Sequence, residues 1–387
     1  MGQLQKRAAL CLLFLFISFA TGCTTDDDCS LNGICTTTNA TCLCDPGWRS
    51  ADCGELDLRP ATRGTGYNHT STSAASDPFS GGTAGNASWG GQILPDRHGD
   101  RRKFHLITSQ FSHGCGLSGW KPFSTIIRAE STTGPRGPYV WAQELFGAFT
   151  HNPTAVWSPA DDLYLLFMIG RDDYELPETC KHQGIMPNNI SIATSPDLRT
   201  WTPRRQVLTN ATNPAPWPLF APENRTVRIA LAVEDNIIHV AASYNASFEP
   251  TVFQPAEGEQ PWSEDPFLWR DKRGHWHILV HYMIDIEERD EKGPNVGAHL
   301  YSRTLEGPWT FNTRTIAYNT TVQFDDGTET VLYRRERPKL YFDPEDEEVV
   351  PLYLVNGVQE NGTKASYTLV QPIGDAAEAY EKRLGFY

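Results

Sequence analysis

Five segments of this chain open alike, roughly sixty residues apart: "ASWGGQIL" near 87, "HNPTAVW" at 151, "TNPAPW" at 212, "SEDPFLW" at 263 and "RERPKLY" at 335. A repeat of that period constrains the fold more than composition does, because each unit must bury its faces against its neighbours. Four openings carry a proline at the same point (Pro153, Pro214, Pro266 and Pro338), which suits the start of a strand, where no amide donor is needed. Runs dense in aromatic and β-branched residues recur, among them "KFHLITS", "LYLLFMIG", "HWHILVHYM" and "LYLVNGV", and read as sheet strands. Other strands end in small polar turns, as in "ISIATSPDLRTWTP" and "AHLYSRTLEGPWTF". Helical signals are scarce apart from "GDAAEAYEKRLG" near the C-terminus. The pattern predicts an all-β protein, a five-bladed β-propeller over residues 85–373 with a C-terminal tail at 374–387. The innermost strands line a channel, and the openings crowd one mouth of it.

With 47 acidic and 33 basic residues the formal charge is −14, which argues against nucleic acid and anionic membrane as partners. Residues 1–22 place Lys6 and Arg7 before "AALCLLFLFISFA" and a small-residue end, the layout of a cleaved signal peptide. That run falls short of the ~20 residues of a spanning helix, and no later stretch could span a bilayer, so no membrane span is expected after cleavage. Nine Asn-x-Ser/Thr sequons, at Asn39, Asn68, Asn86, Asn189, Asn210, Asn224, Asn245, Asn319 and Asn361, fit a secreted glycoprotein.

Six cysteines fall within 31 residues: Cys23, Cys29, Cys35, Cys42, Cys44 and Cys53. They form a disulfide framework for which the sequence alone allows fifteen connectivities. Their spacing and the "PGW" turn resemble an EGF-like module, which implies the pairs 23–35, 29–42 and 44–53. The module's calcium-binding pattern is missing, and Asp26, Asp27 and Asp28 read as a solvated loop. Such a module offers a surface for an extracellular protein partner. Residues 54–84, rich in Gly, Ser, Thr and Pro, read as a glycosylated linker. Cys115 and Cys180 lie in loops of neighbouring blades and are expected to pair in an oxidising compartment.

Glu264 and Asp265 stand among Trp262, Phe267, Leu268 and Trp269. Carboxylates in such company are paired or at work. The Asp-Pro opening, the "SPDLRTW" and "SRTLEGPW" strand ends and the five-fold count resemble the five-bladed propeller glycosidases, glycoside hydrolase family 43 and its relatives. The resemblance implies a base Asp, an acid Glu and an orienting Asp acting on furanosides or xylosides. Strand neighbours point to opposite faces, so one member of the doublet faces the channel. The Asp-Pro pattern selects Asp265, with Glu264 turned between blades. Glu336, ringed by Arg334, Arg335 and Arg337, is the second acid; its plainer reading is an inter-blade ion network. The candidate catalytic set is therefore Asp265, Glu336 and Glu264.

Trp89, Asn152, Asn213, Trp262, His281, His299 and Arg337 are candidate substrate-binding residues. His277 and His281 share a face by their even spacing. The openings at Gly90, Asn152 and Asn213 depart from the family in lacking an acid, which opens an alternative: an inactive propeller that binds extracellular glycan or protein, with the EGF-like module in adhesion. The favoured reading is a secreted glycoside hydrolase with carbohydrate as partner. No cofactor is expected; a central calcium ion is compatible with such a channel, but nothing in the sequence supports it.

Overall fold

A computed structural model describes residues 22–68, 87–171, 176–181, 188–251, 254–256, 261–283, 295–363 and 365–386. The signal segment up to residue 21 and most of the expected linker, from residue 69 on, lie outside these.

Five four-stranded antiparallel sheets follow one another along the chain. Their innermost strands are Ser88–Pro95, Thr150–Ser158, Ala215–Ala221, Ser263–Arg270 and Glu329–Phe342. Each overlaps one of the five openings, and successive inner strands touch around a closed ring. Outer strands follow in order: the second strand of blade two, Leu163–Gly170, is buried from Tyr164 onward, as its unbroken apolar run requires. The architecture is the five-bladed propeller that the repeat predicts.

Residues 54–68 depart from the linker reading. Leu56, Ala61 and Tyr67 are fully buried. Leu58 and Tyr67 bridge to Ile373 and Thr368 along the outer strand of blade five, and the Tyr67 hydroxyl donates to Gln110 Oε1 of blade one at 2.6 Å. Three apolar anchors in a polar stretch suffice to cover an open sheet edge, so this segment ties the last blade to the first. The C-terminal helix Gly374–Arg383 works beside it: Arg136 of blade one pairs with Glu381 at 2.6 Å, and the Tyr341 and Tyr380 hydroxyls meet at 2.7 Å.

The N-terminal module carries the disulfides Cys23–Cys35, Cys29–Cys42 and Cys44–Cys53, the pairs that the resemblance implies. The acidic run is structural. Asp26 Oδ1 accepts from the Cys35 amide at 2.8 Å, Asp27 pairs with Arg303 at 2.7 Å, and Asp28 caps the Thr24 and Thr25 amides. The module docks firmly on blade four: Arg273 donates to the Leu31 and Gly33 carbonyls and pairs with Asp45 and Asp271.

Beneath the module lies a buried chain of imidazoles. Asn32 Nδ2 donates to His299 Nδ1 at 3.3 Å, His299 Nε2 meets His277 Nδ1 at 3.0 Å, and His277 Nε2 faces Asp271 Oδ2 at 3.5 Å. Trp48 and Trp269 close over the pair, with centroids 5.0 Å from His299 and His277. His299 accepts from Asn32 at one nitrogen and shares a single proton with His277 at the other, so a second proton would set donor against donor. Burial holds both rings below the ordinary value of 6.5. A histidine kept neutral by folding contributes stability that is present above its unfolded pKa and is lost as pH falls below it. The melting temperature is therefore expected to drop between pH 7 and pH 5, and His299→Gln to flatten that slope; calorimetry across this range checks it.

Candidate active site

The openings share a backbone feature that the strand pattern did not reveal. Asn152, Asn213, Asp265 and Arg337, each just before the proline, have φ of 52°, 56°, 56° and 54°, and Gly90 stands in their place in blade one with 68°. Left-handed φ is tolerated by Asn, Asp and Gly, which accounts for the residue types found there; Arg337 alone is an unusual occupant. The ladder register shifts beside these residues, between Trp89 and Gln92, between Glu264 and Phe267, and between Glu336 and Lys339. Such a bulge suspends the alternation of faces. Two consecutive side chains therefore look into the channel mouth, which corrects the expectation that Glu264 turns between blades.

The mouth is a cavity of about 570 Å³ lined by both Glu264 and Asp265. Trp89, His151, Thr212, Glu264 and Glu336, the residues preceding each left-handed position, all reach it. Glu336 is thus the counterpart of Glu264, and Arg337 that of Asp265. Below them the left-handed residues interlock. Arg337 Nη1 lies 3.2 Å from Asp265 Oδ1 and donates to Asn213 Oδ1 at 3.4 Å, while Asn152 Nδ2 donates to the same oxygen at 2.6 Å. A Cβ on Gly90 would meet the Arg337 side chain at 3.1 Å, so glycine is needed there for room as well as for φ.

The acids separate electrostatically. Burial, then the nearby Asp265 and Glu264 charges, push Glu234 up to about 8, against the hydrogen bond from Asn213 and the charge of Arg337. Burial and Asp265 also raise Glu264. Burial works against ionised Asp265 too, yet Arg337 and His281, 3.7 Å from Oδ2, hold it below the ordinary range. Burial disfavours an imidazolium at His281, but Glu336, Asp265 and Glu264 outweigh that and raise it to about 9. Glu336 pairs with Arg334 at 3.0 Å. Ligand atoms of Glu264, Asp265 and His281 lie within 4.8 Å of one another, a group that could hold a cation.

Of the residues singled out in the sequence, Trp89, Asn213, Glu264, Asp265, Glu336 and Arg337 line the cavity. Asn152 supports it through Asn213. Three expectations are corrected. Trp262 is 53% exposed and does not line the cavity, because it precedes the bulge. His299 belongs to the imidazole chain under the N-terminal module. His277 and His281 share a face, but four residues separate them by about 13 Å along a strand, so only His281 reaches Asp265. Glu234 was missed: it sits past the second strand of blade three, in "AVEDN", away from any opening. Trp120, one of several tryptophans that sequence alone leaves as packing residues, also lines the cavity; it stacks on His151 with centroids 4.6 Å apart, on the loop tied by Cys115–Cys180.

Asn152→Ala and Asn152→Gly both forfeit the bond to Asn213, so their difference isolates the backbone term. The alanine variant is expected to be less stable than the glycine variant by about 1 kcal/mol in urea denaturation.

Sequence comparison finds no matching family model and no matching curated protein. Solved structures do match. An α-L-arabinofuranosidase from Podospora anserina, solved with cellotriose, superposes with a TM-score of 0.52 at 10% identity, over 83% of this chain and 98% of that one. A GH43 protein from Bacillus licheniformis and a xylan β-1,4-xylosidase from Bacillus halodurans give TM-scores of 0.48 and 0.47 at 10% and 12% identity, over 74% of this chain. The chain spans about half the length of these two, 53% of each. At such identity the likeness bears on architecture alone: this chain has the five-bladed β-propeller fold on which the arabinofuranosidase is built.

Proposed function

We propose that the cavity hydrolyses glycosidic bonds in furanose- or xylose-containing glycans by carboxylate acid–base catalysis. Glu234 gives its proton to the leaving oxygen as the C–O bond breaks. Glu336 takes a proton from water, whose oxygen joins the anomeric carbon. Asp265 stays ionised and, after burial, helps keep the proton on Glu234. One observation carries this reading: a buried glutamate pushed up to about 8 shares a cavity with an aspartate held below its ordinary range. Such a split leaves Glu234 protonated beside an ionised aspartate at neutral pH, which is what a general acid requires. Trp120, part-exposed at the cavity wall, supplies an apolar face for a sugar ring.

The disulfides support an oxidising compartment. Among the described residues no helix is long and apolar enough to cross a membrane. Seven of the nine sequon asparagines (Asn39, Asn68, Asn210, Asn224, Asn245, Asn319 and Asn361) are exposed, as glycosylation requires. The protein on this reading is secreted, with carbohydrate as its partner, and the N-terminal module remains a proposed contact for another extracellular protein.

The test is release of nitrophenol from a panel of 4-nitrophenyl α-L-arabinofuranosides and β-D-xylosides. The parent should turn over at least one of them, and Asp265→Asn and Glu336→Gln should each lose about 10²–10⁴ in rate. A blank across the panel, or full activity in both variants, overturns the assignment.

A further inference from the structure

All five blades also contribute to a second opening, at the other end of the inner strands from Glu234. Leu94, Val156, Trp217, Phe267 and Phe342, one from each inner strand, help line a recess of about 170 Å³ there. An apolar cavity of about 150 Å³ is enough to take up benzene, so this one admits an aromatic ring. Trp157 and Trp217 line it while each remains partly exposed. Gln92 is one of the polar side chains that line it, with Arg97 and Tyr164. It is 7% exposed, its Nε2 donates to the Leu340 carbonyl at 3.3 Å, and its Oε1 has no hydrogen-bond partner. A buried acceptor left without a donor is costly, and a ligand hydroxyl would satisfy it.

A second recess of about 420 Å³ adjoins, and Arg97 lines both. Arg101 and Arg383 in this second recess are neutralised by Glu345 and Asp343. Arg97 and Arg102 are not: among the described residues neither has an ion-pair partner. Their guanidinium carbons lie 4.9 Å and 5.0 Å over the Trp157 and Phe386 rings. Two unneutralised arginines held on aromatic faces are unusual in a chain of net charge −14, and they complement an anion. A neutral sugar fits poorly here, since its many hydroxyls would meet an apolar wall with few polar groups.

We propose that this end of the channel binds a small hydroxylated aromatic carboxylate. The ring lies against Trp157 and Trp217, the hydroxyl donates to Gln92 Oε1, and the carboxylate sits on Arg97. The site is separate from the acids at the first mouth and does not depend on their role.

Isothermal titration of the full chain with 4-hydroxyphenylacetate tests it, with 4-methylphenol and phenylacetate as probes lacking the carboxylate and the hydroxyl. Saturable one-to-one binding is expected, with each lesser probe about tenfold weaker. Arg97→Ala should bring 4-hydroxyphenylacetate down to the level of 4-methylphenol. Gln92→Met should erase the preference over phenylacetate, with an unchanged circular dichroism spectrum reporting an intact fold. Glu234→Gln should bind like the parent. The proposal is overturned if all three probes bind alike, if Arg97→Ala leaves the acid's affinity intact, if Glu234→Gln abolishes binding, or if the protein self-associates through this face and the probe does not compete.

Discussion

Glu234→Gln is expected to lower kcat about 10³-fold on substrates whose leaving group is a sugar, and far less on 2,4-dinitrophenyl glycosides. Loss of a general acid typically costs 10²–10⁴, but a leaving group that departs unprotonated does not need it. Glutamine keeps the shape and still accepts the hydrogen bond from Asn213 Nδ2, so the change removes the proton and little else. The basic limb of the parent's pH profile, set by a carboxyl raised to about 8, should vanish in the variant. A stability readout goes with it. A carboxyl whose folded pKa is raised contributes stability that is fully present below its unfolded value of 4.5 and is lost as pH rises through about 8. The variant should therefore melt higher than the parent at pH 9, relative to their difference at pH 5. Equal losses on activated and unactivated substrates would place Glu234 outside the proton transfer.

The second large effect concerns Cys115–Cys180. This disulfide closes a loop with a sequence separation of 65, for which chain entropy gives a stabilisation of about 4 kcal/mol. It also anchors the wall of the cavity that carries Leu117, Ser118 and Trp120. The double variant Cys115→Ser/Cys180→Ser is expected to lose stability of that order in denaturant titration. On the proposed function, KM for the best substrate of the panel should rise more than kcat falls, because the loosened wall would contact the sugar without carrying the carboxylates. A stability change under 1 kcal/mol would mean that the reduced chain already holds these loops together.

Much of the architecture could be read from residue order. The five openings identified the inner strands, because proline and strand chemistry act over a few residues. "WSEDPFLWR" pointed to the site, because acids do not sit among Trp and Phe without a reason. What escaped is instructive. Trp262 and His299 belong to the same blade as Asp265, and pattern alone treated them as neighbours of the site. The bulge at Asp265 and the length of the strand at His277 separate them from it. Residues 54–68 have a linker's composition, yet Leu56, Ala61 and Tyr67 find the uncovered edge of blade five.

Strand identity, blade number and the preference for Asn, Asp or Gly at each opening follow from local chemistry, since side-chain period and left-handed φ are properties of a few adjacent residues. Proton placement does not. Glu234 is raised first by its burial and then by Asp265 and Glu264 of the next blade, and Asp265, against its own burial, is lowered by Arg337 and His281, groups far apart along the chain. Charges act through space, strongly where water is excluded, so only the closed ring of blades decides which acid keeps its proton and which gives it up.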